Sequence, residues 1–76
     1  MEQHWRFLVV NITYRDFRRE VVHYVSANYR KIFSYAMKEE LDNYLDQLDK
    51  EGWELTQIRS LNDGRDEAYY FRLPLV

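Results

Sequence analysis

Arginine and aromatic side chains that could bind a ligand concentrate between residues 14 and 31. Guanidinium groups bind phosphate and carboxylate oxygens through paired hydrogen bonds, and aromatic rings stack on bases or on other rings. Tyrosine and arginine also dominate the binding energy of protein interfaces. The candidate binding residues are Tyr14, Arg15, Phe17, Arg18, Arg19, Tyr29, Arg30 and Lys31.

Three classes of partner fit these side chains. The chain has seven tyrosines, which favours a protein interface, and its net charge of -2 argues against binding to a long polyanion. We therefore predict a small non-catalytic binding protein that self-associates and presents its Tyr and Arg side chains to a protein partner. Sequestration of a small anionic, nucleotide-like ligand between subunits is the first alternative. Nucleic-acid binding, which the charge disfavours, is the second.

The other reactive side chains form no pattern typical of catalysis or metal binding. His4 and His23 are far apart in sequence and lack the close spacing of zinc ligands. Asp42, Asp46 and Asp49 lack the wrapping loop of a calcium site, so we interpret them as a solvated helix face. With two glycines and no cysteine, the chain has neither a glycine-rich phosphate loop nor a thiolate metal site. We expect no enzyme activity, no catalytic residue, no metal and no cofactor.

Length and composition predict one folded domain over residues 1–76. The chain is 46% hydrophobic and 17% aromatic, which excludes a disordered polypeptide. A chain of this size buries only roughly 60 to 65% of the surface that its unfolded form exposes, so a partner surface would help to stabilise it. We expect a homodimer or a higher homo-oligomer. The lack of cysteine and of any long apolar run predicts a cytoplasmic protein without a membrane span.

The first strand is predicted over residues 4–14, which are rich in aromatic and β-branched types. Side chains alternate between the two faces of a strand. One face would carry Trp5, Phe7 and Val9, and the other would carry Leu8, Val10 and Ile12. A strand that is apolar on both faces is expected at the centre of a sheet that is covered on both sides. One helix covers one side, so the 15–35 segment or a second subunit must cover the other.

The 15–35 segment allows two interpretations. Val21, Val22, Tyr24 and Val25 suit a strand by residue type, although Phe17 joins some of them at helical spacing. We favour a strand over residues 19–26, followed by a loop at Ala27 and Asn28 that leads to the helix.

The helix is predicted to begin at Ser34 or Tyr35 and to end at Glu51. Gly52 follows where a left-handed residue commonly ends a helix. The apolar residues are spaced so that they share one stripe. This stripe consists of Met37, Leu41, Tyr44, Leu45 and Leu48.

A hairpin is predicted from residues 53–61 and 65–73 around Asn62-Asp63-Gly64. A three-residue loop, a type I turn with Gly64 left-handed, sets a register that gathers apolar residues on one side. In that register Trp53 pairs with Leu73, Leu55 with Phe71, and Gln57 with Tyr69. Pro74 cannot donate to a ladder, so the last strand is expected to end there.

These elements predict an α+β fold, in which an antiparallel sheet of three or four strands carries one amphipathic helix on one face, in the order β-(β)-α-β-β. The run Trp5-Arg6-Phe7-Leu8-Val9-Val10 and the run Gly52-Trp53-Glu54-Leu55 resemble a small bacterial and phage domain family of unknown function. Its members carry a Trp-x-Tyr/Phe-x-Val-Val strand, a helix and then Gly-Trp-Glu-Leu. The resemblance covers roughly residues 4–12 and 37–73 and implies the same fold but no activity. The longer, more basic 15–35 segment departs from the family pattern.

Overall fold

The computed structural model describes residues 4–16 and 18–75. They form one antiparallel sheet and one α-helix, so the predicted α+β class is confirmed, but the sheet has five strands rather than three or four. The sheet order is β3-β2-β1-β5-β4. The elements are β1 (His4–Tyr14), β2 (Val21–Ala27), β3 (Arg30–Met37), α1 (Lys38–Lys50), β4 (Glu54–Leu61) and β5 (Asp66–Leu75).

The additional strand is β3, which occupies the residues between the predicted loop and the predicted helix together with the first residues of that helix. It pairs with β2 from Arg30 opposite Ala27 to Met37 opposite Val21. The connection is a two-residue turn at Asn28 and Tyr29, whose φ angles are 49° and 68°. Two successive left-handed residues are the geometry of a tight type I′ hairpin. The chain therefore reverses at the point where we expected a passage into the helix.

Asn28 also fastens this turn to the first strand. Its backbone N–H donates to the Val9 carbonyl oxygen at 2.9 Å, and its side-chain Oδ1 accepts from the Val9 N–H at 2.9 Å. The side chain thus replaces a strand partner for β1 beyond the point where β2 ends. This use of an asparagine side chain satisfies backbone groups that would otherwise be unpaired.

The helix α1 begins at Lys38, later than the predicted Ser34 or Tyr35, and ends one residue before the predicted Glu51. The Glu40 carboxylate accepts a hydrogen bond of 3.0 Å from the Met37 N–H, which satisfies one free donor at the helix start. Gly52 has φ +97°, so the predicted left-handed end of the helix is confirmed. No helix in residues 4–16 and 18–75 is long and apolar enough to cross a membrane.

The β4–β5 register agrees with the predicted register only in part. Leu55 pairs with Phe71 as predicted, but a bulge at Thr56 shifts the ladder, so Gln57 pairs with Tyr70 and not with Tyr69. The Thr56 hydroxyl donates to the Tyr70 carbonyl oxygen at 3.1 Å, which fixes the bulged residue. The extra residue keeps Leu55 and Ile58 on the same side of the strand in spite of the shifted pairing.

The turn that closes this hairpin also differs from the prediction. Gly64 is left-handed at φ +88°, as expected, but Asn62 and Asp63 also have positive φ angles, 51° and 57°, which no type I turn contains. The strands end at the pair Leu61 and Asp66, so four residues form the loop.

Pro74 does not end the last strand, because β5 continues to Leu75 and Pro74 lies opposite Trp5 of β1. The pairing of β4 with β5 begins only at Glu54, opposite Arg72. In an antiparallel pair only alternate residues exchange hydrogen bonds with a given neighbour. A residue without an N–H is therefore tolerated at this end of β5.

The core lies between α1 and one face of the sheet. Leu41 and Leu48 of the predicted helix stripe are buried, while Tyr44 and Leu45 are half-buried at its edge. The helix lies closest to β2 and β3. The buried cluster consists of Val10, Ile12, Tyr14, Val22, Val25, Leu41, Leu48 and Phe71.

The opposite face of the sheet is not covered by the part of the chain that the structure describes. The 15–35 segment forms β2 and β3 of the same sheet, so it extends the sheet and does not fold over it. Phe7 consequently keeps 69% of its surface exposed. The expectation that the 15–35 segment covers the second face is wrong, and a second subunit is the alternative that stays open.

Candidate interaction surface

The predicted binding residues do not form one site. Tyr14 lies at the C-terminal end of β1, and Arg15, Arg18 and Arg19 lie in the loop after it, whereas Tyr29, Arg30 and Lys31 lie at the β2–β3 turn. That turn is bonded to Val9, which is five residues and therefore roughly 17 Å along the strand from Tyr14. Phe17 lies outside the described residues. The structure thus separates the two basic groups along the length of the sheet.

Tyr14 and Arg19 belong to a structural cluster at one end of the sheet. The buried Tyr14 hydroxyl donates to Glu67 Oε1 at 2.7 Å, and Arg19 Nη1 lies 3.4 Å from Glu67 Oε2. Arg19 Nη2 donates to the Gly64 carbonyl oxygen at 2.8 Å, and its guanidinium carbon lies 5.6 Å from the centre of the Tyr14 ring. These contacts join the β1–β2 loop to the β4–β5 turn, which leaves Tyr14 inaccessible to a ligand.

Electrostatics keep this tyrosine in its neutral, donating form. Burial raises the pKa of Tyr14 well above its ordinary value, and the hydrogen bond to Glu67 and the charge of that carboxylate raise it further. The nearby Arg19 charge lowers the Tyr14 pKa only in part. Burial also raises the pKa of Tyr69, again with a contribution from Glu67. The cluster is therefore suited to holding the fold rather than to moving a proton near neutral pH.

The remaining predicted residues are on the surface. The exposed Arg15 lies 3.7 Å from the Asp16 carboxylate, and Asp16 Oδ1 accepts from the Arg18 N–H at 3.1 Å. Tyr29 is 89% exposed at the tip of the β2–β3 turn. Arg30 and Lys31 follow it and are also exposed. These side chains could contact a partner, but the loop after β1 and the β2–β3 turn each offer only a small exposed surface.

The uncovered sheet face offers a broader aromatic surface, which we call the open face. The β1–β5 register places Phe7 opposite Arg72 and Val9 opposite Tyr70. The Arg72 guanidinium carbon lies 4.2 Å from the centre of the Trp5 ring, a cation–π contact. Arg72 Nε also lies 3.0 Å from Glu54 Oε2. The open face consists of Trp5, Phe7, Val9, Tyr70 and Arg72.

Sequence reasoning missed part of this surface. The apolar alternation of Trp5, Phe7 and Val9 was visible, but Tyr70 and Arg72 join them only through the β1–β5 pairing. These two strands are the first and last of the chain. Their register could not be derived from local pattern, although both carry residue types that are enriched in interfaces.

Two grooves flank the helix on the other face. A groove of about 590 Å³ between α1 and β3 is lined by aromatic and polar side chains, with Glu40 as its single charged residue. A smaller groove of about 200 Å³ lies between α1 and the β4–β5 hairpin, where Leu45, Trp53, Leu55 and Tyr69 form most of its wall. No cationic side chain of the described residues lines either groove. Within the described part of the chain, no three His, Asp or Glu side chains group closely enough to hold a metal ion.

Comparison of the chain with protein-family models, with curated proteins and with solved structures finds no match.

Proposed function

We propose that this protein is a non-catalytic binding domain that self-associates and offers the open face of its sheet to a protein partner. The observation that carries the proposal is the exposure of Phe7, which keeps 69% of its surface accessible in the middle of a strand whose other face is core. Trp5, Tyr70 and Arg72 surround it with residue types that dominate interface binding energy. An aromatic side chain held on a rigid strand binds a partner with little loss of conformational entropy.

A protein partner fits this surface better than a nucleic acid. Base stacking needs a free aromatic face, whereas Arg72 lies over the Trp5 ring. The same guanidinium is already paired with Glu54, so its charge is largely neutralised for a phosphate. The other basic groups are separated along the sheet, which gives no continuous path for a polyanion backbone.

A small anionic ligand is also poorly supported by the grooves. A phosphate-bearing ligand needs arginine, lysine or a row of backbone N–H groups. The larger groove instead carries the Glu40 carboxylate, which would repel an anion.

We extend the proposal to the setting of the protein. A chain without cysteine suits a reducing compartment, so we place it in the cytoplasm. Membership of the bacterial and phage domain family that the sequence resembles is likewise part of the proposal.

Site-specific photo-crosslinking in the native cells tests the open face directly. A photoreactive phenylalanine analogue replaces Phe7, and the matched control places it at Asn43 on the exposed side of α1. We expect one discrete adduct with another polypeptide from position 7 and none from position 43. Equal adducts at both positions, or none at position 7, would contradict the proposal. An adduct that nuclease removes would favour nucleic acid instead, and an adduct with a second copy alone would make the open face a self-interface.

A further inference from the structure

The strand β4 is an exposed edge of the sheet. All eight of its residues, Glu54–Leu61, are exposed, and no strand of residues 4–16 and 18–75 lies along its outer side. Natural edges are commonly protected by lysine, proline or strong distortion. The opposite edge, β3, begins with Arg30 and Lys31 and contains a left-handed Tyr35. β4 contains neither lysine nor proline, and its one distortion is the bulge at Thr56, so it is the less protected of the two edges and the one on which another strand would pair.

The bulge at Thr56 decides which side chains of β4 point to the same side of the sheet. Leu55 pairs with Phe71 and Ile58 with Tyr69, so both point to the helix side of the sheet. Each keeps 48% of its surface exposed, because α1 lies over β2 and β3 instead. Glu54 and Arg59, which pair with Arg72 and Ala68, share the other side. Without the extra residue, Leu55 and Ile58 would point to opposite sides.

The side chains of β4 are arranged so that the strand is complementary to β4 of a second copy of the chain. We infer that two copies of the chain pair antiparallel through β4, with Leu55 of one copy opposite Ile58 of the second and Glu54 opposite Arg59, in one sheet that continues through both. In an antiparallel pair, directly opposed residues point to the same side. The self-pairing register matches both sides at once, because it places apolar opposite apolar and acid opposite base. Thr56 then lies opposite Gln57.

Neighbouring registers lose this match. A shift of one residue in either direction sets Leu55 opposite Gln57 or Arg59, whose side chains point to the other side of the sheet. Arg59 forms no salt bridge with any residue in the described ranges, so it is free to pair with a second copy. Glu54 would then lie between Arg72 of its own chain and Arg59 of the second copy. The twofold axis would relate two such groups of one carboxylate and two guanidinium groups.

The inference deepens the self-association within the proposed function and rests on it. It names β4, and not the open face, as the surface that joins two copies. The open faces of both copies would lie on the same side of the joined sheet, and each would stay available to a partner. The apolar groove beside Leu55 and Tyr69 would also lie next to its counterpart in the second copy.

Complementary charge variants test the register. Arg59→Glu places a glutamate at position 59 opposite Glu54 of the second copy. Glu54→Arg places an arginine at position 54 opposite Arg59 of the second copy. By sedimentation equilibrium we expect wild type to dimerise and each variant to dimerise at least about 10-fold more weakly. A one-to-one mixture of the two variants restores both opposite-charge pairs, so it should dimerise like wild type. Lys50→Glu, an exposed charge reversal on α1, is the matched control and should not change dimerisation.

Each outcome decides a separate point. Far-ultraviolet circular dichroism confirms that each variant is folded before it is mixed. A dimeric wild type whose dimer is insensitive to Arg59→Glu, or a mixture that stays monomeric, would overturn the β4 register and leave self-association standing. A wild type that stays monomeric at all concentrations would overturn self-association and β4 pairing together. The crosslink at position 7 would then still decide the partner-binding part of the proposed function.

Discussion

The Tyr14 hydroxyl donates a 2.7 Å hydrogen bond to Glu67 Oε1 and so joins the end of β1 to the start of β5. Both residues are buried, and Arg19 completes the group from the β1–β2 loop. A buried carboxylate is costly unless charged or hydrogen-bonding groups satisfy it. The contact therefore explains why a tyrosine and two ionisable side chains, predicted in part as ligand-binding, occupy one end of the sheet.

Replacement of Tyr14 by phenylalanine should destabilise the fold. The change removes the donor to Glu67 and leaves a buried carboxylate oxygen unpaired, at a cost of about 1 to 3 kcal/mol. Urea unfolding followed by fluorescence measures the free energy. Tyr69→Phe is the control, since the half-buried Tyr69 hydroxyl makes no hydrogen bond within the described part of the chain. Equal losses for the two variants would show that the Tyr14–Glu67 bond contributes nothing specific.

The same tyrosine predicts a loss of stability at alkaline pH. Burial holds the pKa of Tyr14 above its ordinary value of 10.0 in the folded chain. The unfolded chain therefore releases this proton first as the pH rises. The stability that the fold gains from the raised pKa of Tyr14 is fully present below pH 10.0, and it is lost as the pH rises from there through the folded-state pKa. Unfolding midpoints between about pH 9 and 11 should fall in wild type and fall less steeply in Tyr14→Phe. Equal slopes for both proteins would contradict this assignment.

Gly52 should resist replacement by any residue with a Cβ. Its φ of +97° is unfavourable for alanine, and an added Cβ would lie 3.3 Å from Leu73 Cδ1. We expect Gly52→Ala to cost about 1 to 2 kcal/mol in thermal or urea unfolding. The neighbouring Glu51 has an ordinary φ of -82°, so Glu51→Ala should change stability by less than about 0.5 kcal/mol. A neutral Gly52→Ala would show that the left-handed helix end is not required.

The open face should tolerate polar substitution without loss of folding. Phe7→Ser removes a side chain that is mostly exposed, so we expect a change within about 0.5 kcal/mol. Leu41→Ala, in the buried stripe of α1, should instead cost roughly 2 to 5 kcal/mol. Although the fold is kept, Phe7→Ser should remove the interaction with the partner. Because position 7 is then occupied by serine, a photoreactive analogue at Tyr70 detects the loss of crosslinking. A large destabilisation by Phe7→Ser would mean that this face is needed for the fold.

Local pattern was sufficient for β1, for Leu41 to Leu48 of the predicted apolar stripe and for the left-handed Gly52, but not for Met37, which ends β3 and is exposed. Local pattern failed at β3, because Phe33 and Met37 continue the helical spacing of Leu41. The segment is a strand because it pairs with β2, and spacing within the segment does not show that pairing. The turn signal was present in Asn28, which favours the left-handed conformation, but the second turn residue is Tyr29 and not the usual glycine. Tertiary pairing thus overrode a local helical preference.

The binding surface was predicted less well than the fold. Residue type identified Tyr14 and Arg19 as interface candidates, yet the structure uses them to satisfy Glu67. Whether a tyrosine is core or surface depends on which strand face it occupies, and that is decided by pairing with distant residues. The bulge at Thr56 is a second case, since one inserted residue decides which side chains of β4 share a side.

The most direct test of self-association through the sheet edge is backbone hydrogen exchange at several protein concentrations. The outward amides of β4 have no partner strand among the described residues of the single chain, so they should exchange rapidly when the protein is dilute. Pairing with a second copy would slow them as the concentration rises, while the amides of β3 at the opposite edge should not change. Exchange of β4 that is independent of concentration, or concentration-dependent protection at β3 instead, would contradict the account.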